Sequence, residues 1–168
     1  GTDRSRFFRG EVDKYTWQRL GSSYLPSELT AAFLWAQLEE ADSLTARRLT
    51  LWQKYHAALA PLEARGVLRR PVIPSECGHN AHMYYVLLPD EATRGHVMGQ
   101  LKAAGIHAIF HYIPLHSSPA GLRYGRTHGE LGVTDRVAAC ILRLPMWIGL
   151  ADEQIDQVVE ALGKTLAG

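Results

Sequence analysis

The chain is poor in cysteine, in long apolar runs and in net charge, and each shortage removes a class of function. Only Cys77 and Cys140 occur in 168 residues. They lie far apart and outside any CxxC or metal-type spacing, which argues against a disulfide scaffold and points to reduced thiols. No apolar run approaches the ~20 residues that a membrane-spanning helix needs, and no basic segment followed by an apolar stretch opens the sequence. The expectation is a cytoplasmic protein without a membrane partner. Eighteen Lys and Arg face seventeen Asp and Glu, a formal net charge of +1. The basic residues are scattered, with Arg47-Arg48 and Arg69-Arg70 the densest pairs, so no nucleic-acid footprint is present. The chain also begins without Met, and "GTDRSRFFRG" has little hydrophobic periodicity, so it reads as the middle of something longer.

What is present is the pattern of a globular α/β chain, with 46% hydrophobic and 21% charged residues. After a Gly-Ser-Ser turn and Pro26, Ser27 is a plausible N-cap for a helix carrying Leu29, Ala32, Phe33 and Ala36 at helical spacing. That helix is apolar over most of its surface, which predicts burial between layers or against another subunit. A second helix is expected from about Leu44 to Ala64, with Leu44, Leu51, Trp52, Tyr55, Leu59 and Leu62 on one face, and Gly66 stopping it. Residues 82 to 88, "HMYYVLL", have the content of a strand. Pro89-Asp90 then leads into a helix carrying Val97, Met98, Leu101 and Ala104, with Gly105 as C-cap. A further strand is expected from Ile106 to Tyr112, then a Gly-, Ser- and Pro-rich loop, a short helix near Asp135 to Leu142, the segment "LRLPMWIGL", and a last helix from Asp152 to about Leu166. Strand, helix and strand in succession imply a small α/β domain from about residue 43 onward, preceded by part of another.

Three features invite chemistry. Eight histidines raise a metal reading, with His79 near His82 and with His107 and His111 on one strand face. No HExxH, CxxC or His-carboxylate triad organises them, so packed or solvent-facing histidines are the better reading and no metal is expected. Ser117 and Ser118 lack the GxSxG setting of a hydrolase nucleophile, which favours hydroxyls bonded to turn backbone. Ser22 and Ser23 precede a helix start, where hydroxyls and backbone N–H groups together can hold a phosphate. The run "FHYIPLH" at 110 to 116 ends a strand at a proline and crowds His111, Tyr112 and His116 there, a common way to present polar groups to a ligand. Periodicity alone leaves these residues as readily structural as ligand-binding.

The strings "GSSYLPSELTAAFLWAQL", "FFRGEVDKYTW", "NAHMYYV", "FHYIPLHSSPAG" and "LRLPMW" occur here in an order that resembles the DegT/DnrJ/StrS sugar aminotransferase family, over nearly the whole chain. The resemblance implies an α/β fold, the C-terminal part of an aspartate-aminotransferase-like (fold type I) pyridoxal-phosphate enzyme. Residues 1–42 would be the end of the large cofactor-binding domain, including an interface helix, and 43–168 the small C-terminal domain. Pyridoxal 5'-phosphate would be bound covalently by a lysine upstream of this sequence, since Lys14, Lys54, Lys102 and Lys164 do not match the family's cofactor lysine. The expected protein is a homodimer with shared active sites.

The blocks most resemble members that move an amino group from L-glutamate to C4 of dTDP-4-keto-6-deoxy-D-glucose, making a precursor of enterobacterial common antigen. By that resemblance Tyr112 is the catalytic candidate, as a hydrogen-bond or proton-relay group near the sugar C4. His111 and His116 are expected beside the hexose. Arg9, Lys14 and Tyr15 are expected at the nucleotide diphosphate or the glutamate carboxylate, although an exposed charged segment explains them equally well. Ser23, with Ser22 and Tyr24, is expected at the cofactor phosphate across the dimer; Ser23 stands where the family often has Asn. The alternatives are a relative of other sugar specificity, such as a 3-keto or UDP-linked hexose, a noncatalytic nucleotide-sugar-binding fragment, or a chain whose exposed apolar helix leaves it aggregated.

Overall fold

The computed structural model describes residues 4–11, 20 and 24–167. The chain divides into two compact units, Gly1–Ala41 and Asp42–Gly168.

In the first unit a short helix, α1 (Arg4–Phe8), ends at Gly10, whose φ of +72° suits a residue without a Cβ. Arg6 and Arg9 converge on Glu11, at 3.0 and 2.7 Å. The next helix, α2 (Glu28–Glu39), starts at Ser27, whose hydroxyl accepts the Thr30 N–H at 3.2 Å, an N-cap that satisfies one free donor of the first turn. Apolar side chains project from all its sides and none of its residues is buried; Leu29 is 86% exposed and Phe33 72%.

In the second unit, α3 (Ala41–Ala58) turns Leu51, Trp52 and Tyr55 inward, as the 3.6-residue spacing predicts. A single helix to Ala64 was expected; instead α3 stops and α4 (Ala60–Ala64) follows. Pro61 explains the break, because it has no N–H to offer the Ala57 carbonyl and its ring crowds the preceding turn. Gly66, at φ +75°, then reverses the chain, with Val67 N–H donating back to the Leu62 carbonyl at 3.3 Å.

The sheet has three short strands in the order β1-β3-β2, joined by two antiparallel pairings, with β1 (Tyr84–Leu87), β2 (Ile109–Phe110) and β3 (Ile141–Leu144). Between β1 and β2 runs α5 (Glu91–Ala103), capped by Asp90 at its start and closed by Gly105 at φ +76°. This is a split β-α-β unit: the crossover leaves a gap that β3, arriving last, fills. In register, Val86 and Phe110 both lie opposite Leu142. Three corrections follow. The strand expected at Ile106 to Tyr112 is only Ile109–Phe110, so His107 and His111 do not share a strand face. The short helix is α7 (Gly132–Cys140), and residues 141 and 142, expected to end it, belong instead to the central strand. The loop before α7 also contains a 3-10 turn, Leu115–Ser117, and a helix, α6 (Pro119–Tyr124).

The core joins Tyr55 and Leu59 to Tyr84, Val86 and Leu142 of the sheet, to Val97 and Leu101 of α5, and to Ile155, Val158 and Leu162 of α8 (Asp152–Thr165). Tyr55 and Tyr84 stack with ring centroids 5.1 Å apart. Both phenols are buried, which pushes their pKa above the ordinary tyrosine range. Cys77 is exposed, Cys140 is buried, and neither is in a disulfide. No described helix is long and apolar enough to cross a membrane.

Candidate functional site

β2 ends at Phe110, the chain leaves the sheet edge as the turn 111–118, and Pro114, which has no N–H to give a ladder, keeps it from rejoining. Ser117 and Ser118 brace it, donating to the Pro114 carbonyl at 3.3 Å and the Leu115 carbonyl at 2.7 Å. Ser118 also accepts the Gly121 N–H at 3.0 Å and caps α6. These hydroxyls are thus turn-bound, as the sequence suggested. Gly121 is required by close approach: a Cβ there would lie 1.7 Å from the Leu115 carbonyl oxygen.

The turn closes one side of a hollow of about 470 Å³, with α5 and α7 forming the others. His111 and Tyr112 line it, their rings edge-to-face with centroids 5.2 Å apart. Tyr112 is 81% exposed and its hydroxyl has no partner among the described residues. The Nδ1 atom of His111 is buried and without a hydrogen bond. Facing them is Arg94, which the sequence reading overlooked. Its guanidinium lies 5.8 Å from the centre of the Phe110 ring, donates to the Ala138 carbonyl at 2.9 Å and meets Glu91 at 3.2 Å, while its Nε is buried and unpartnered. In the sequence, Arg94 three residues after Glu91 has the pattern of a solvated helix face; only the fold turns it inward.

His116 points elsewhere. It lines a separate hollow with Gly121, Leu122 and Arg126, and its Nε2 lies 2.9 Å from Asp135 of α7, close enough for an ion pair but not aligned as a hydrogen bond. The structure therefore brings His111 and Tyr112 together and gives His116 the position of a tie between turn and α7. Arg9 belongs to the first unit and is engaged by Glu11. Tyr24 is 90% exposed. Lys14, Tyr15, Ser22 and Ser23 lie outside the described residues.

Two of the histidines considered for metal have other partners: His79 meets the Trp52 ring edge-on at 4.8 Å, and His82 contacts the Asn80 side-chain oxygen at 3.0 Å. Among the described residues no group of three His, Cys, Asp or Glu gathers to hold an ion. None of the described lysines lines the hollow: Lys54 pairs with Asp152, Lys164 pairs with Glu160 at 2.6 Å, and Lys102 is not among its lining residues.

Comparison with known proteins adds the lineage. The chain is 27% identical to a dTDP-3-amino-3,4,6-trideoxy-alpha-D-glucose transaminase from Micromonospora megalomicea subsp. nigra, over 98% of this chain and 44% of that protein. It is 28% identical to a pleiotropic regulatory protein from Geobacillus stearothermophilus, over 92% and 41%. Among solved structures it superposes on S. venezuelae DesV, crystallised in complex with a ketimine intermediate, with a TM-score of 0.80 and 26% identity, covering 99% of this chain and 45% of that one. The chain thus spans less than half the length of these relatives. Its fold is the corresponding part of a fold type I sugar aminotransferase. Residues 4–163 match the DegT/DnrJ/EryC1/StrS aminotransferase family model, and the chain belongs to that family.

Proposed function

We propose that this chain is the carboxy-terminal part of a cytoplasmic pyridoxal-phosphate-dependent transaminase. It moves an amino group from L-glutamate to C4 of dTDP-4-keto-6-deoxy-D-glucose, giving dTDP-4-amino-4,6-dideoxy-D-galactose, a precursor of enterobacterial common antigen. The observation that carries this reading is the hollow at the end of β2 in a chain of an aminotransferase family. An exposed phenol and an imidazole with an unpartnered nitrogen meet there over an apolar wall, the donor and acceptor set that suits a sugar ring. Tyr112 offers its hydroxyl near the reacting carbon, as a hydrogen-bond donor or proton relay. His111 bonds a ring substituent, and His116 steadies the turn through Asp135.

When bound, pyridoxal phosphate supplies the electron sink. The lysine that anchors it lies, in this reading, upstream of this sequence. In this reading residues 1–42 end the large domain, 43–168 form the small one, and two copies share their active sites. Ser22, Ser23 and Tyr24 reach the cofactor phosphate of the partner. Arg9, Lys14 and Tyr15 serve the anionic ends of the substrates, with Arg9 weakened for that task by its bond to Glu11.

Pyridoxal phosphate titration of this chain, borohydride reduction and peptide mapping test the division of labour. Weak labelling spread over several lysines, or none, is expected. Stoichiometric trapping on one of Lys14, Lys54, Lys102 or Lys164 would overturn it. In the longer protein, Tyr112→Phe should lower kcat about tenfold or more while leaving the melting temperature unchanged, because the ring is exposed. A second reading, amination at C3, is favoured by the name of the Micromonospora relative. NMR of the product, which identifies the amine-bearing carbon, separates the two.

A further inference from the structure

A second hollow, of about 230 Å³, lies at the outer edge of β1, between the 66–69 segment and α7. Its floor is apolar: Leu68, Leu88 and Cys140 are 2, 3 and 8% exposed. Arg69 and Arg136 line it, and no Asp or Glu does. Neither guanidinium has a hydrogen-bond or ion-pair partner among the described residues, and both side chains are exposed and so open to a ligand.

The walls are fixed by backbone bonds. Arg69 N–H donates to the Leu87 carbonyl at 2.8 Å, and Leu87 N–H returns to Arg69 at 2.9 Å. Leu88 N–H donates to the Cys140 carbonyl at 3.0 Å, joining the end of β1 to the end of α7. The two arginines therefore stand on elements held in register before any ligand arrives, so little ordering is required on binding. Two cations line the hollow beside an apolar floor, with no carboxylate among its lining residues. An oxyanion that reaches both gains charge-assisted hydrogen bonds, which the adjoining low-dielectric surface strengthens.

The geometry points to a binding site for a small oxyanion, phosphate or carboxylate, carried on a compact apolar body that rests on Leu68, Leu88 and Cys140. It is distinct from the hollow at 111–118, and α7 separates the two: Arg136, Val137 and Cys140 face one, Asp135, Ala138 and Ala139 the other. The inference does not rest on the proposed reaction and is testable on this chain as it stands.

The test is a titration of the isotope-labelled chain with inorganic phosphate, and separately with butyrate, at constant ionic strength, following backbone amide shifts. Saturating shifts at Arg69, Leu88, Val137 and Cys140 are expected with at least one of the two anions, and which one saturates assigns the acid group. Arg69→Gln and Arg136→Gln should each weaken that binding about fivefold or more, with Arg48→Gln unchanged. Spectral dispersion like that of the parent shows that the variants fold. Shifts that fail to saturate with either anion, or that survive equally in both arginine variants, overturn the proposal.

Discussion

His56 lies flat on Trp52, with ring centroids 4.6 Å apart, and its Nδ1 is 3.3 Å from the Tyr84 hydroxyl. Burial lowers its pKa below the usual imidazole value, and the nearby Arg70 charge lowers it further; Glu63 opposes them more weakly. The folded chain thus keeps His56 neutral where the unfolded chain has begun to protonate it. Above the ordinary imidazole value of ~6.5 both states are neutral and no penalty exists. As pH falls through that value toward the folded pKa, the unfolded state binds more protons and stability declines. Urea midpoints should therefore be lower at pH 5.5 than at pH 7.5, and His56→Gln should reduce that difference. A pH dependence the same in the variant would assign the effect to other groups. Of these residue-scale features, Tyr55 and Trp52 were legible as an inward stripe. The neutrality of His56 was not, because Arg70, Glu63 and Tyr84 meet it only through the fold.

The turn after β2 behaves as an element in its own right. Two serine hydroxyls, a 3-10 turn and a short helix interlock around Gly121, where the Leu115 carbonyl occupies the place of a side chain. Gly121→Ala forces that carbonyl to move, which should cost about 1–3 kcal/mol, read as a lowered urea midpoint. Amide shifts at His111 and Tyr112 should change with it, since the same turn carries both rings. An unchanged spectrum at those two residues would show that the turn is not one unit. The run "FHYIPLHSSPAG" announced a polar turn, and its serines were read correctly. The separation of His116 from His111 was not legible, because the irregular backbone of residues 111–114 and the 3-10 turn after it have no common period from which to infer direction. The same limit hid β3: Ile141 follows Cys140 of α7 with no turn residue between them, so a helical pattern ran on into the strand.

At the scale of the second unit, Leu142 is the point through which both outer strands communicate. It is fully buried, lies opposite Val86 on one side and Phe110 on the other, and belongs to the main core. Leu142→Ala should cost about 2–5 kcal/mol in urea unfolding and should also perturb the amides of Phe110 and His111. A stability loss confined to the β1 side would refute this coupling. The α/β class was readable from alternating periods, but the strand order was not, since periodicity gives no neighbour relations. A chain made in order, amino end first, has both outer strands in hand long before the strand that joins them. The FHYIPLH turn therefore stays unanchored at its sheet end until residues 141–144 emerge from the ribosome. Assembly of the wall that carries His111 and Tyr112 therefore waits on contacts distant in sequence, which are correspondingly slow to form.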